Sequence, residues 1–371
     1  MKIAKIDTFP VLLRLKEVFK IANVVMRDMR FVYVKILMDN GIIGWGEAIP
    51  AWEVTGETQD SVKDVIDSYL SPNLIGKKIE NYDDLQDCFE IIDPEKKPQI
   101  VWGAPSAKAA LDIALFDAYG KLVEKPVYRI LGGQFKAIKP VAAVGIMPME
   151  KTLEIVRSKM AQGAKRIKLK VGLNMERDFN TVKAVRETFP KIGMVLDANQ
   201  GYVTPKNAIK FIKKIEKFGV LWMEQPILAD NKKGLLEVKK SVGVSIMADE
   251  AIHNYWDAKL LLEMGAVDLV NIKLMKSSGI HGALKIADLC QDCGVPCQMG
   301  SMIESSIGTA AGVHAVLSHK NIKYNELGGI ERMESNIGFG ITFQDHKLLI
   351  STKPGLGICL EEKELTLHKL F

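Results

Sequence analysis

Arg166-Ile167-Lys168-Leu169-Lys170-Val171-Gly172 places two ammonium groups on a segment otherwise suited to burial. Along a strand the side chains alternate, so Ile167, Leu169 and Val171 share one face while Lys168 and Lys170 share the other. In isolation such a segment reads as an edge strand with its lysines in water. The downstream residues change that reading, because Asp197, Glu224 and Asp249 each close a short apolar run and Lys273 follows. Lys170, Asp197, Glu224, Asp249 and Lys273 succeed one another at intervals of 27, 27, 25 and 24 residues, each about one strand-plus-helix unit. Charged groups in phase on five consecutive strands are hard to obtain from packing alone.

Outward from this stretch the same rhythm continues. Apolar runs occupy 140–147, 166–171, 193–198, 221–225, 244–249, 269–274, 296–300 and 323–327. The segments between them carry apolar residues at helical spacing, as in Ile209, Ile212, Ile215 and Phe218, with Gly219 placed to end that helix. Eight strands alternating with helices predict an α/β protein built on a parallel (β/α) barrel. A doubly wound sheet is the alternative, but no glycine-rich phosphate loop opens any of the helices.

Before the barrel, 2–9, 31–38 and 42–46 alternate like strands, with Asp39-Asn40-Gly41 as a hairpin turn. The segment 17–29 shows no clear period and is expected to be a loop, and 48–57 is expected to be irregular. Helices are predicted over 60–70, 83–92 and, behind Pro105, 106–122. The ends of the chain, 341–351 and 355–360, look strand-like again and are expected to rejoin the first module. The predicted divisions are an α+β module over 1–125, the barrel over 126–340 and a returning segment over 341–371.

Composition narrows the function. The 371 residues are 47% hydrophobic, enough for a large core. Fifty Lys and Arg against 45 Asp and Glu leave +5, with basic residues scattered beside acids, so no nucleic-acid footprint is expected. No apolar run approaches a membrane span, and Asp7 and Pro10 interrupt the opening segment; a cytoplasmic protein with no membrane partner is the expectation. Cys290, Cys293 and Cys297 cluster, but no second pair or histidine completes a ligand set, and they are expected to be structural.

The charged residues themselves suggest a reaction. Near the carboxyl ends of their strands they should converge at the barrel mouth. Three adjacent carboxylates repel one another unless a cation sits among them, and a hard, oxygen-seeking ion, Mg²⁺ or alternatively Mn²⁺, is the natural occupant. Asn199, Gln225 and Glu250 could orient these ligands or bond the lysines. Strands two and six of an eight-strand ring face each other, so Lys170 and Lys273 should flank the metal. A lysine acts as a base near neutral pH if its pKa is lowered, and the metal with Lys168 is expected to push that way. Such a site can take a proton from the carbon beside a carboxylate while the metal stabilises the enediolate charge. Return of the proton on the other face is racemisation or epimerisation.

These residues resemble the enolase superfamily, and within it the branch of the muconate lactonizing enzymes and dipeptide epimerases. The matching stretches are RIKLKVG, LDANQG, WMEQP, IMADE, LVNIKLMKSSGI and GSMIESSIG, together with DNGIIGWGEA, VTGET, SAKAALDIALFDAYGK and KPGLGI, which span nearly the whole chain. The resemblance implies a (β/α)7β-type TIM barrel with an α+β capping domain formed by the N-terminal region and the C-terminal tail. It implies Asp197, Glu224 and Asp249 as Mg²⁺ ligands, Lys170 and Lys273 as the acid/base pair and Lys168 as their helper, a pattern known for such sites. It further implies that loops near Asn23 and Trp52 close on a small carboxylate substrate, with Glu304 and Glu326 as further candidates for contact, and a homo-oligomer is the expected state. Dipeptide epimerases of this branch hold the substrate ammonium with an Asp-x-Asp pair, where this chain has Glu326-Leu327-Gly328, and their early-loop Arg is missing near Asn23-Val24. The expected activity is 1,1-proton transfer on a dipeptide or N-substituted amino acid; the alternatives are a muconate-type cycloisomerase or an o-succinylbenzoate synthase-like lyase. A Schiff-base aldolase using Lys170 or Lys273, or a noncatalytic metal-binding scaffold, are the readings from other classes.

Overall fold

The computed structural model describes residues 1–94 and 98–366. Strands β1 (Ile3–Lys20), β2 (Val25–Met38) and β3 (Ile43–Ala48) form an antiparallel sheet in that order. The turn before β3 uses Gly41 at φ 86°, and Asn40 Oδ1 accepts from Ile42 N at 3.2 Å. The expected loop over 17–29 is instead mostly strand. The β1–β2 ladder breaks between Arg14 and Phe19 with a shift of register and resumes with Phe19 opposite Met26, so both the alternation and the pairing are interrupted inside one long hairpin.

Helices α1 (Trp52–Thr55), α2 (Gln59–Asp64, widening into a π turn over Val65–Leu70), α3 (Ser71–Leu74), α4 (Tyr82–Ile92) and α5 (Pro105–Leu122) follow. The stretch expected to be irregular thus contains α1. Helix α5 is buried along most of its length, and its alanine-rich face meets β3. A Cβ on Gly46 would stand 1.8 Å from Ala110 O, so only glycine permits that approach.

After α6 (Val127–Ile130), the barrel strands are β4 (Ala142–Val144), β5 (Arg166–Lys170), β6 (Gly193–Asp197), β7 (Trp222–Glu224), β8 (Ser245–Ala248), β9 (Leu269–Ile272), β10 (Cys297–Met299) and β11 (Ile322–Asn325). The seven helices between them are α7 (Met149–Ala161), α8 (Met175–Thr188), α9 (Pro205–Ile215), α10 (Lys232–Ser241), α11 (Tyr255–Glu263), α12 (Ile280–Asp292) and α13 (Ser306–Ser318). The sheet is parallel and its strands lie in sequence order. Its two edges meet through Val141 N donating to Asn325 O at 2.7 Å. This is a (β/α)7β barrel with an antiparallel capping module. Cys290 and Cys297 are buried and Cys293 is exposed.

The tail forms a hairpin, β12 (Ile341–Gln344) and β13 (Lys347–Ile350), and then α14 (Glu362–Thr366). The strand expected over 355–360 makes only isolated bridges, at Gly355 and Cys359, because Gly355 and Gly357 both take positive φ. Two contacts tie the tail to the first module. Leu356 N donates to Asp117 on α5 at 2.8 Å, and Glu362 pairs with Lys35 on β2 at 2.6 Å. Residues 367–371 of the expected returning segment lie outside the described residues. Among the described residues no helix is long and apolar enough to cross a membrane.

Candidate active site

Alternation along the barrel strands puts every second side chain in the lumen. Lys168 and Lys170 point inward from β5, Asp197 and Glu224 end β6 and β7, and Asp249 and Lys273 are the first residues beyond β8 and β9. Lys170 is paired with Asp197, and Asp197 with Glu224, across the ladders. One carboxylate oxygen from each of Asp197, Glu224 and Asp249 lies within 4.8 Å of the others, and all three residues are buried.

Lys168, 1% exposed, lies among three acids: Asp197 Oδ2 at 2.9 Å, Glu224 Oε1 at 2.7 Å and Glu326 Oε1 at 2.6 Å. Lys170 Nζ donates to Asp197 Oδ2 at 2.5 Å and to Asn199 Oδ1 at 2.9 Å. Lys273 Nζ lies 2.7 Å from Asp249 Oδ2. Standing on the second and sixth barrel strands, these two amines reach the acidic triplet from opposite sides of the ring and touch different carboxylates.

Burial penalises all three carboxylates. Lys168 and Lys170 overcome it at Asp197, and Lys273 with Lys276 at Asp249, so both are held below the usual carboxylate range. Glu224 goes the other way: burial and then Asp197 push it well up. Burial pulls Lys273 down, but Asp249 and Glu250 outweigh it and the net direction is upward. Lys168 does push Lys273 downward, as expected, and the rest of the expected lowering belongs to a metal ion among these acids. The acids around Lys273 outweigh the repulsion from Lys168, and a divalent cation among those acids would cancel much of their pull.

The donor set fits such a cation. It is all carboxylate oxygen, and Glu224 Oε2 is buried with no hydrogen-bond partner. Asp249 Oδ2, despite the nearby Lys273, also receives no hydrogen bond of acceptable geometry.

Asn199, Gln225 and Glu250 stand beside the charged cluster. Asn199 bridges Lys170 and Glu250, donating to Glu250 Oε1 at 3.0 Å. Burial, then Asp249 and Asp197, push Glu250 up to about 7. Gln225 takes a positive φ of 33°, uncommon for a side-chain-bearing residue, and its Oε1 accepts from Asp249 N and Ala251 N, each at 3.0 Å. It thereby braces the turn that presents Asp249.

The residues expected to touch substrate are dispersed. Glu326 belongs to the charged cluster through Lys168 and accepts from Gln298 Nε2 at 3.0 Å. Glu304 is buried in the loop after β10, where it accepts from Ser301 Oγ and from Met302 N at 2.8 Å. Asn23 is exposed in the β1–β2 turn, whose neighbour Lys20 O accepts from Ile146 N at 2.9 Å in the loop after β4. Trp52 is 70% exposed on α1, and α1 meets the loop after β8 where His253 Nε2 bonds Val54 O at 2.9 Å.

Three contributors were missed in the sequence. Asn271 donates to Glu224 Oε1 at 2.9 Å, and Gln298 holds Glu326. Both lie in apolar runs on the lumen-facing phase, a signal of the same kind as Lys168. Lys276 is buried with its Nζ on Asp249 O and, at 2.5 Å, on Asp249 Oδ1. It lies in a turn beyond β9, where strand phase carries no information.

Residues 4–132 match the family model described as mandelate racemase / muconate lactonizing enzyme, N-terminal domain, and residues 151–364 match that described as enolase C-terminal domain-like. The N-succinyl-L-Arg/Lys racemase of Bacillus cereus is 34% identical over 367 residues, covering 98% of this chain and 97% of the relative. The dipeptide epimerase of Enterococcus faecalis, solved with Mg and the dipeptide L-Leu-L-Tyr, superposes with a TM-score of 0.90 at 34% identity over 96% of this chain and 99% of that one. The muconate lactonizing enzyme of Pseudomonas fluorescens, solved with muconolactone, gives a TM-score of 0.92 at 26% identity over 100% of this chain and 99% of that one.

Proposed function

This chain belongs to the mandelate racemase / muconate lactonizing enzyme family of the enolase superfamily, and on that premise we propose that it is a Mg²⁺-dependent isomerase, a racemase or epimerase. It moves a proton from one face to the other of the carbon beside a carboxylate, in a dipeptide or N-substituted amino acid. The observation that carries this reading is the placement of Lys170 and Lys273 on opposite strands, each against a different member of the acidic triplet. Asp197, Glu224 and Asp249 would hold Mg²⁺, with Mn²⁺ as a substitute. When bound, the ion offsets the negative charge that builds on the substrate carboxylate as the α-proton leaves. Lys170 and Lys273 exchange the proton with the α-carbon, one on each face, and Lys168 keeps positive charge beside Asp197, Glu224 and Glu326.

Asn199, Gln225 and Glu250 orient the ligands and Lys170. The capping module, 1–125 with the returning 341–371, contributes the Asn23 turn and the Trp52 helix as walls over the mouth of the 126–340 barrel. Glu304 shapes the loop after β10, and Glu326 faces the substrate's far side. A homo-oligomer in the cytoplasm, with no nucleic-acid or membrane partner, completes the reading.

Incubation of dipeptides and N-acylamino acids in D₂O tests it. The α-proton should exchange with no other change of mass, and its retention across such a panel would sink the proposal. The second reading, a muconate-type cycloisomerase or o-succinylbenzoate synthase-like lyase, draws on Glu326-Leu327-Gly328, where one carboxylate stands in place of an Asp-x-Asp pair. It requires ring closure or loss of water from a diacid without α-deuteration of amino-acid derivatives.

A further inference from the structure

We infer that Arg332 is a specificity residue of this site and binds a second carboxylate of the substrate, carried on its N-acyl group or its side chain. This rests on the epimerase reading above. The barrel's seam is its weakest join, since β4 and β11 share the single bond from Val141 N to Asn325 O. Beyond that bond Ala143 O is taken by Arg332 Nη2 at 2.6 Å instead of by a strand. The seam opens there into a cavity of about 370 Å³, lined by Lys170 and Glu326 from the charged cluster, by Ser301 of the loop after β10, and by Phe19, Lys159 and Arg332. A ligand seated against Lys170 can therefore extend toward the guanidinium within one continuous space.

Arg332 is not satisfied by its surroundings. Its guanidinium lies over the Phe19 ring at 4.1 Å from the centroid, an attractive contact that uses none of its N–H groups in plane. Apart from the bond to Ala143 O, it makes no hydrogen bond or ion pair among the described residues. The neighbouring acids are already committed: Glu331 to Lys159 at 3.1 Å and Glu326 to Lys168 at 2.6 Å. Glu17, exposed on β1, contributes a field but no contact. Burial works against the charge on Arg332. A partly desolvated guanidinium with free, coplanar donors at a cavity wall matches a carboxylate, which it can bind through two parallel hydrogen bonds.

Two matched pairs of compounds test this and separate the sources of the carboxylate: an N-succinyl against an N-pentanoyl amino acid, and an Ala-Glu against an Ala-Gln dipeptide. Each is measured for α-deuteration in D₂O and for binding by calorimetry with Mg²⁺ present. The wild type should favour the carboxylate-bearing member of at least one pair by about tenfold or more, through KM. Arg332→Met should bring that ratio close to one, and Arg332→Lys should retain part of it. A residue that only staples the seam would weaken both members of a pair together and leave the ratio standing, which overturns the inference, as does a wild type without preference in either pair. If Arg332→Met fails to fold, the wild-type and Arg332→Lys ratios decide. If no compound exchanges yet calorimetry shows the Arg332-dependent ratio, the epimerase reading falls and this one stands; if neither signal appears, both fall.

Discussion

The barrel lumen has two layers built from the same strands, and they differ in almost everything else. Near the amino ends, Val141, Val195, Trp222, Met247 and Leu269 form an apolar floor with Tyr324, whose ring lies 4.9 Å from that of Trp222. Two residues further along the same strands come Asp197 after Val195, Glu224 after Trp222, Asp249 after Met247 and Glu326 after Tyr324. One pleat repeat converts a layer that stabilises the fold into one that costs stability, because buried like charges repel and each carboxylate is desolvated. Function and stability are thus separated by roughly 7 Å along each strand.

The largest expected effect breaks the upper layer alone. Removing divalent metal with a chelator should abolish turnover, Mg²⁺ should restore it, and added Mg²⁺ should raise the melting midpoint, by about 2.7 kcal/mol of stability at a hundredfold excess over Kd. An unmoved midpoint together with chelator-insensitive turnover would remove the metal from the mouth. Next, Lys170→Ala and Lys273→Ala should each lower turnover by about 10²–10⁴. Each should also lose α-proton exchange from one stereoisomer while retaining some from the other. Identical losses on both stereoisomers in both variants would contradict bases on opposite faces.

The floor should show the converse behaviour. Trp222→Ala should cost about 3–5 kcal/mol in denaturant unfolding while turnover per folded molecule changes little. A hundredfold fall in turnover would show that the layers are not independent. The smallest effect lies outside the lumen and marks how far pH reaches without touching the mouth. His314 accepts from Tyr128 N at 3.0 Å and its Nε2 contacts Leu356 O at 3.1 Å, an arrangement that suits a neutral ring. Burial holds its pKa down to about 4 against the Leu356 contact, from an ordinary 6.5. The folded ring binds protons less readily than the unfolded one, so its contribution is complete above pH 6.5 and is lost as pH falls toward 4, up to about 3 kcal/mol. Unfolding free energies of the wild type and His314→Gln between pH 7 and 4 should differ in slope; parallel curves would exclude His314 as the source.

The two layers were not equally legible. Asp197, Glu224 and Asp249 announce themselves because a charge ending an apolar run is conspicuous and recurs in phase. The floor residues hide within those runs, where Val195 looks like any buried valine. The β1–β2 hairpin was missed over 17–29 because the slip between Arg14 and Phe19 destroys the period that betrays a strand. The tail strand expected near 355–360 failed for a related reason, since the glycines that shape it break the ladder.

By itself, then, the sequence determined the number and order of the barrel strands, the phase of the charged residues and the pairing of two lysines with three acids, all carried by spacing along one chain. Only the tertiary structure decided which oxygen faces which nitrogen, that Lys276 turns back onto Asp249, that Lys273 is driven upward by its acids, and that Arg332 stands at an open seam. Periodicity reports the direction in which a side chain leaves its own strand. Contacts between segments far apart in sequence depend on how barrel closure brings those segments together, and no local pattern encodes that.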